Sequence, residues 1–391
     1  MNSRVYFTLF VTILAVALGA SLVIPLLPVY AQDLGATGFE LGLIFSSFAL
    51  ARSIFLPLVG KLADRWGRRG FIMAGLLIYS GVAIGFDHSQ NVTLLILCRL
   101  TQGIGAAMVI PLSRAYVGDL TPPGQEGRVM GHFNIAFFAG LTLGPWLGGY
   151  IKDVLGISAS FYAMASLGFF GFILTLLNIP KGQAAISGPC REETSYLALL
   201  SLPAMAAVFL FRLGTTIGVG VNWVFMPIYG HDVLGLSSTA IGVLISINLM
   251  MTTLLQPGVG WLADQLSRPW MIFWGGLLAS ISLLALPFCQ TFTELLVLNL
   301  FLGATMGLYT PPLMAMAVDI GRESGFMSRV MSLLELAFSL GMVIGPLLAG
   351  LIKEAFSLGA IFLVGGSIGA AASLLSLVIH LRSTTVDSPA G

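Results

Sequence analysis

Long apolar stretches separated by short polar turns run along the whole chain. A helix needs roughly 20 apolar residues to cross a bilayer. Twelve stretches approach or exceed this length: 5–30, 38–60, 70–87, 92–118, 129–151, 158–178, 199–229, 238–263, 269–288, 292–318, 328–351 and 358–381. The pattern predicts an all-α integral membrane protein with twelve transmembrane helices.

The composition supports this prediction and narrows the possible partners. Hydrophobic residues make up 57% of the 391 residues and charged residues only 9%, whereas a soluble domain carries about 25% charged residues. The net charge of +1, from 18 basic and 17 acidic residues, does not favour a nucleic-acid partner. The few cysteines and histidines are scattered without metal-ligand spacing. We therefore expect membrane lipid around the chain, no nucleic acid, no metal and no cofactor.

Two sequence patterns bear on whether the chain is an enzyme and whether it uses ATP. The run from Gly365 to Gly369 matches the GxSxG pattern, but Ser367 lies inside a predicted span rather than at a strand-to-helix turn. The chain contains no P-loop, so ATP is not the expected energy source. We expect a protein that is not an enzyme.

A polar segment divides the spans into two sets of six. Residues 179–198 have the composition of a linker, with Lys181, Pro189 and Arg191 among several small and acidic residues. The predicted domains are an N-terminal six-helix bundle at 1–178, a cytoplasmic linker at 179–198 and a C-terminal six-helix bundle at 199–391.

The basic residues indicate the orientation of the chain in the membrane. If both termini are cytoplasmic, only Lys152 and Lys353 lie outside, each beside an acid, Asp153 and Glu354. Twelve basic residues then lie inside: Arg4, Lys61, Arg65, Arg68, Arg69, Arg128, Lys181, Arg191, Arg268, Arg322, Arg329 and Arg382. This asymmetry follows the positive-inside rule and predicts a multi-pass protein of the cell inner membrane. Span one could be misread as a signal peptide, but it has a partner in the second half.

The two halves of the chain repeat each other at an offset of about 200 residues. GKLADRWGR at 60–68 corresponds to GWLADQLSR at 260–268, and Gly103, Pro111 and Asp119 correspond to Gly303, Pro311 and Asp319. Chance does not keep so many glycines, prolines and aspartates in register. Two parallel repeats predict two bundles, and transporters of this kind bind substrate where the repeats meet.

Three local motifs carry a resemblance to a known family. They are GKLADRWGRR at 60–69, RLTQGIG at 99–105 and GLTLGPWLGG at 140–149. Together with the repeat, they resemble the major facilitator superfamily over essentially the whole chain, and its bacterial drug:proton antiporter branch in particular. The resemblance implies a secondary transporter that works by alternating access.

The first motif contains Gly60 and Gly67, which permit a tight cytoplasmic turn, and the resemblance assigns it to a cytoplasmic latch. Asp64 can lie against a helix N-terminus, where the helix dipole favours an anion, and the arginines can pair with Asp119. An alternative is that the basic residues only keep this loop inside, although that does not explain why Asp64 recurs as Asp264. The implied latch residues are Gly60, Asp64, Arg65, Gly67, Arg68, Arg69 and Asp119.

The third motif places small residues on one helix face. Gly140, Gly144 and Gly148 are spaced by four, which lets two helices approach closely, and Pro145 and Gly149 extend the pattern. The second half has a similar face, so the motif is partly architectural. Its value as a marker of antiport is lower for that reason.

Charges at membrane depth are expensive and usually functional. Glu335 is the one carboxylate clearly inside a span, and Arg52, Arg99 and Arg212 are the deep bases. The resemblance implicates Arg99 in proton coupling, and we expect Glu335 and Arg52 to act with it. The alternative is that backbone carbonyls or acids at the span ends neutralise each arginine.

The predicted substrate cleft contains Arg212 and a set of uncharged polar or aromatic residues. These are Asn222, Trp223, Asn134, Asn248 and Gln102. Span one has no acid, which disfavours cation export.

The function predicted is proton-coupled efflux of small amphipathic compounds by a monomer. One alternative is an importer or flippase of an anionic or zwitterionic amphiphile. A second, from another class, is a non-transporting sensor or a channel, although the chain shows neither a sizeable output domain nor a continuous polar stripe.

Overall fold

The computed structural model describes residues 3–120, 126–180, 196–263, 265–324 and 327–386. These residues form fourteen α-helices and one short 3₁₀ helix at Leu286–Phe288, and they form no strand. The helices are α1 Ser3–Val23, α2 Leu27–Asp33, α3 Gly38–Trp66, α4 Arg68–Asp87, α5 Val92–Leu120, α6 Glu126–Leu155, α7 Ile157–Asn178, α8 Tyr196–Leu200, α9 Pro203–Asp232, α10 Ser238–Ala263, α11 Arg268–Ala285, α12 Phe292–Ser324, α13 Met327–Ala355 and α14 Leu358–Val386.

Each of the twelve predicted spans corresponds to these helices, with span one divided between α1 and α2, span seven between α8 and α9, and span nine between α11 and the 3₁₀ helix. Among the described residues, eleven segments are long and apolar enough to cross a membrane. Helix α6 holds the remaining predicted span but is not among the eleven. It contains several glycines together with Pro145 and Asn134, and each of these lowers its hydropathy. The all-α membrane fold predicted from the sequence is confirmed.

The chain forms two compact units. Unit 1 comprises Met1–Ala36, Leu43–Cys190 and Gly230–Ser246, and unit 2 comprises Thr37–Gly42, Arg191–Tyr229 and Ile247–Gly391. In unit 1, α4 packs on α5 and α7, and in unit 2 the equivalent α11 packs on α12 and α14. The packing therefore repeats as the sequence does. Most of the predicted linker lies outside the described residues, and the domain boundaries stay a prediction.

Glycines bring α1 and α6 into close contact in unit 1. A Cβ added at Gly140 would lie 2.7 Å from the Ala17 Cβ, and one at Gly144 would collide with Ser21. The Ser21 hydroxyl donates to the Gly140 carbonyl at 2.8 Å. In unit 2, Gly341 faces α9 in the same way, with an added Cβ 2.7 Å from the Thr216 Cβ. These small residues allow close helix packing without a hydrophobic driving force.

Candidate functional site

Arg99 on α5 is held by groups from two helices of unit 1. Its Nη1 donates to Gln102 Oε1 at 2.7 Å, and its Nε donates to the Ile44 carbonyl at 3.3 Å. Its guanidinium also lies 4.5 Å from the ring centre of Phe48 and 4.9 Å from that of Phe45. Cation–π contacts of this kind stabilise a cation that has lost water. The i, i+3 pair expected on one face of α5 is therefore present, and the two phenylalanines complete its surroundings.

Arg52 on α3 lies close to the same region. A Cβ added at Gly103 would lie 3.1 Å from the Arg52 backbone nitrogen, so α3 and α5 are in close contact there. Tyr79 is buried, and its hydroxyl group interacts electrostatically with both Arg52 and Arg99. The Arg52 Nε is buried without a hydrogen-bond partner. Unit 1 thus places two guanidinium groups near one tyrosine. The region between these helices is therefore positively charged.

Arg212 on α9 occupies a comparable setting in unit 2. Its guanidinium lies 4.8 Å from the ring centre of Phe338, and its Nε is buried without a hydrogen-bond partner. It interacts electrostatically with Tyr309, which shares a hydrogen bond with Thr215. Tyr309 and Thr215 were not predicted from the sequence. Their signal was their position, because both are polar groups at the middle of strongly apolar spans.

Two of the predicted cleft residues line a cavity inside unit 2. Asn222 and Trp223 lie on its wall, together with Thr215 and Tyr309. Arg212 lies on α9 less than one helical turn before Thr215, the first residue of this helix that lines the cavity. The structure therefore brings together part of the predicted substrate set, within one unit and around an uncharged cavity.

The remaining predicted cleft residues are dispersed. Asn248 on α10 donates through Nδ2 to the Asn299 carbonyl at 3.2 Å, so its amide joins two helices. Asn134 on α6 has a buried Oδ1 without a hydrogen-bond partner. Gln102 is engaged by Arg99. Among these three, Asn134 alone keeps a buried acceptor available for another group.

Glu335 lies on α13 in unit 2, and its side chain is exposed, whereas its neighbours Leu333 and Leu334 are buried. Its carboxylate is therefore accessible from outside the helix packing of its own unit. The predicted pairing with Arg52 would join the two units, and it stays a prediction.

The predicted latch is only partly described, because the side chains of Asp64 and Asp119 lie outside the described residues. Gly67 has a φ of 88°, a left-handed conformation that favours glycine at this turn. Gly60 differs from the prediction, since it lies inside α3, with no atom within 4 Å of an added Cβ. Arg69 Nη2 donates to the Leu176 carbonyl at 2.8 Å, and Arg65 is exposed.

The two acids noted beside Lys152 and Lys353 have a role that the sequence did not reveal. In unit 1, Asp153 accepts hydrogen bonds from the Thr239 backbone nitrogen at 2.7 Å and from the Thr239 hydroxyl at 2.5 Å. In unit 2, Glu354 accepts from the Phe39 backbone nitrogen at 2.9 Å. Each acid therefore satisfies free N–H groups in the first turn of a helix, where a negative charge is stabilising.

No group of three or more histidine, cysteine, aspartate or glutamate residues in the described part of the chain is arranged to hold a metal ion.

Comparison with known families assigns the fold. The model of the Major Facilitator Superfamily matches residues 9–214 and 204–390. The chain belongs to this superfamily. It is therefore a multi-pass membrane transport protein for small molecules and not an enzyme. The two matched stretches correspond to the two halves of the sequence repeat.

Relatives and solved structures are consistent with this assignment. The quinolone resistance protein NorA of Staphylococcus aureus (strain MSSA476) is 28% identical over 357 residues, which cover 90% of each chain. An uncharacterized MFS-type transporter of Methanocaldococcus jannaschii is 26% identical and covers 89% of this chain and 91% of its own. The crystal structure of the nucleoside transporter NupG superposes with a TM-score of 0.81 at 15% identity, covering 97% of this chain and 99% of its own. The last comparison supports the fold alone.

Proposed function

We propose that the chain exports small amphipathic compounds in exchange for protons. The observation that carries the proposal is Arg99. This guanidinium lies within a membrane span, where it contacts a carbonyl, a neutral amide and two aromatic rings and interacts with the Tyr79 hydroxyl group. None of these contacts cancels its charge. An uncancelled charge at depth is costly and is usually kept for function.

The relationship to the quinolone resistance protein NorA supports drug-like substrates, because it extends over 90% of both chains. The resemblance of the span-five motif at 140–149 to that of drug:proton antiporters supports exchange with protons. The first observation concerns the substrate class and the second the energy source. Transport itself is established by the family.

The proposed mechanism assigns separate roles to the charges. Arg99 and Arg52 create a positive potential that attracts the anionic part of a zwitterionic or anionic compound. Glu335 carries the proton, since it is the one carboxylate clearly inside a predicted span. Binding of a proton there removes a negative charge that would otherwise attract a guanidinium. Alternating proton and substrate binding would then exchange one for the other across the membrane.

The excess of deep positive charge also favours a second candidate, an importer or flippase of an anionic amphiphile. Arg52, Arg99 and Arg212 outnumber Glu335 as deep charges. Such a protein would use the same arginines to hold the anionic group. It would move the compound inward or between leaflets instead of out of the cell.

Transport into inside-out membrane vesicles separates the two candidates. Vesicles acidified inside should accumulate norfloxacin, a quinolone, and an uncoupler that collapses the pH gradient should release it. Glu335→Gln vesicles with the same amount of protein serve as the control and should show at least tenfold less accumulation. Accumulation that is unaffected by the uncoupler, or equal in the Gln variant, contradicts proton exchange at Glu335.

We also propose that both termini are cytoplasmic and that the protein acts as a monomer. The orientation rests on the distribution of basic residues between the two sides, twelve against two.

A further inference from the structure

Unit 2 contains a cavity enclosed by four helices, α9, α11, α12 and α14. Small residues form much of its wall, including Gly218, Gly365 and Gly369. The cavity offers about 30 Å³ to water-sized molecules, and a water needs at least roughly 10–15 Å³ on this measure. There is room for about two waters, or for one small polar group at the end of a larger molecule.

The cavity presents hydrogen-bond acceptors from three side chains. Asn222 is 7% exposed, and its Oδ1 is buried without a hydrogen-bond partner. The Thr215 hydroxyl donates to the Phe211 carbonyl at 2.8 Å, and the Ser280 hydroxyl donates to the Gly276 carbonyl at 2.8 Å. Each hydroxyl has a single hydrogen, so its oxygen can meet a further partner only as an acceptor, and Thr215 already shares a hydrogen bond with Tyr309. A group that satisfies Asn222 Oδ1 must therefore donate a hydrogen bond.

The lining contains no charged residue. An ammonium or guanidinium group would therefore lose its water without gaining an opposite charge, at a high cost in free energy. A hydroxyl or an uncharged N–H group avoids this cost and satisfies Asn222 Oδ1. An acceptor left buried without a partner is itself destabilising, so a donor that reaches Asn222 Oδ1 is favoured.

Three of the polar lining residues have aliphatic equivalents in unit 1, whereas Ser280 corresponds to the buried Ser80. At the repeat offset of 199 or 200 residues, Thr215, Asn222 and Tyr309 correspond to Val16, Val23 and Val109. All three valines are buried, with at most 2% exposure. The same architecture therefore forms with aliphatic side chains at these three positions, and of the three polar residues only Asn222 has a buried atom without a partner.

We infer that this cavity is a binding subsite for the uncharged hydrogen-bond donor of a transported amphiphile, with Asn222 Oδ1 as the principal acceptor. Trp223 supplies a flat apolar wall beside it, against which the body of an amphipathic compound can pack. This inference rests on the proposed function, since it concerns how that transporter recognises its substrate.

Binding of a matched ligand pair tests the subsite directly. Thiamphenicol and florfenicol are uncharged amphipathic antibiotics that differ at one position, where fluorine replaces a hydroxyl. Calorimetric titration of the purified full-length protein should show about tenfold weaker binding of florfenicol, because fluorine cannot donate to the acceptor. Asn222→Leu, which is similar in size but lacks the acceptor, should weaken thiamphenicol about tenfold and remove the difference between the two.

The matched control is Thr175→Val in unit 1. Thr175 is fully buried and its hydroxyl also lacks a partner, but it does not line the cavity. This variant should bind both compounds as the wild type does. If Asn222→Leu weakened the binding of both compounds equally and Thr175→Val did not, the subsite would also be supported. The donor would then be one that the two compounds share.

Three results overturn the inference. They are unchanged binding in Asn222→Leu, equal weakening in Thr175→Val, and the absence of binding of either compound to the wild type. The vesicle assay with norfloxacin is independent of all three. Failure there contradicts proton-driven export, whereas failure here leaves export intact and removes only this subsite.

Discussion

The Arg268 guanidinium forms an ion pair with the Asp319 carboxylate in unit 2. Its Nε also donates to the Ala263 carbonyl at 3.0 Å, so the arginine ties the end of α10 to both α11 and α12. Arg268 and Asp319 are the repeat equivalents of Arg68 and Asp119. The predicted latch in unit 1 therefore has a counterpart in unit 2 whose ion pair is formed.

The two copies of the latch should differ in importance. The first copy has Arg65 and Arg69, where the second has Gln265 and Pro269. Asp64→Asn should therefore reduce transport at least tenfold, because several cations would lose a shared anion. Asp264→Asn is the matched control and should retain at least half of the activity. Vesicle transport, normalised to protein in the membrane, measures both. Equal losses at equal expression would contradict the latch in the first repeat.

The glycine contact between α1 and α6 should not tolerate a large side chain. An added Cβ at Gly144 already collides with Ser21 and lies 2.9 Å from the Leu18 carbonyl. Gly144→Leu should therefore separate the helices, cost about 1–3 kcal/mol or more in stability and abolish transport. Gly81→Leu on α4 is the control, because no atom lies within 4 Å of a Cβ there. Thermal unfolding and transport of both variants measure the effect, and wild-type transport by Gly144→Leu would contradict it.

Several features could be predicted because they depend on spacing along one helix. The spans follow from apolar length, the glycine face of α6 from a period of four residues, and the Arg99–Gln102 contact from an i, i+3 spacing. Each of these needs no knowledge of a neighbouring helix. The repeat then extended the prediction from one half of the chain to the other.

The features that were missed depend on contacts between helices. Phe45 and Phe48 reach Arg99 from α3, and hydropathy does not fix the rotation of a helix that is apolar all round. Asp153 was noted only as an acid at a span end, since the helix that it caps begins about 85 residues later. Gly60 was expected in a turn, but α3 continues through it to Trp66.

The surroundings of Arg99 should require an arginine. A lysine has no planar group that can lie over two aromatic rings and also donate hydrogen bonds to a carbonyl and an amide. Arg99→Lys should therefore lower transport at least tenfold although the charge is kept. Thr101→Val on the same helix is the control, because Thr101 is exposed and its hydroxyl bonds only within α5. Norfloxacin accumulation in vesicles measures both, and near wild-type transport by Arg99→Lys would show that charge alone suffices.

The last prediction concerns the depth of Arg52 and Glu335 in the membrane. Arg52 precedes Gly60 by eight residues, which is about 12 Å along a helix, and Glu335 follows Arg329 by six, which is about 9 Å. Gly60 and Arg329 both lie near the predicted cytoplasmic side. In the superfamily that the sequence resembles, spans two and eleven pack against each other, so the two charges would meet at similar depth. An ion pair there would hold the two spans together until a proton binds Glu335.

Exchange of the two charges tests this pair. Arg52→Ala and Glu335→Gln should each stop or uncouple transport, because a deep charge is lost or left without its partner. The double variant Arg52→Glu with Glu335→Arg should recover part of the activity if the side chains touch, whereas Arg52→Glu with Glu335→Gln should not. Cysteines at positions 52 and 335 should cross-link when the two spans are in contact, which tests whether the positions lie close together. If neither rescue nor a cross-link occurs at any pH, then Glu335 binds its proton alone and Arg52 contacts the substrate separately.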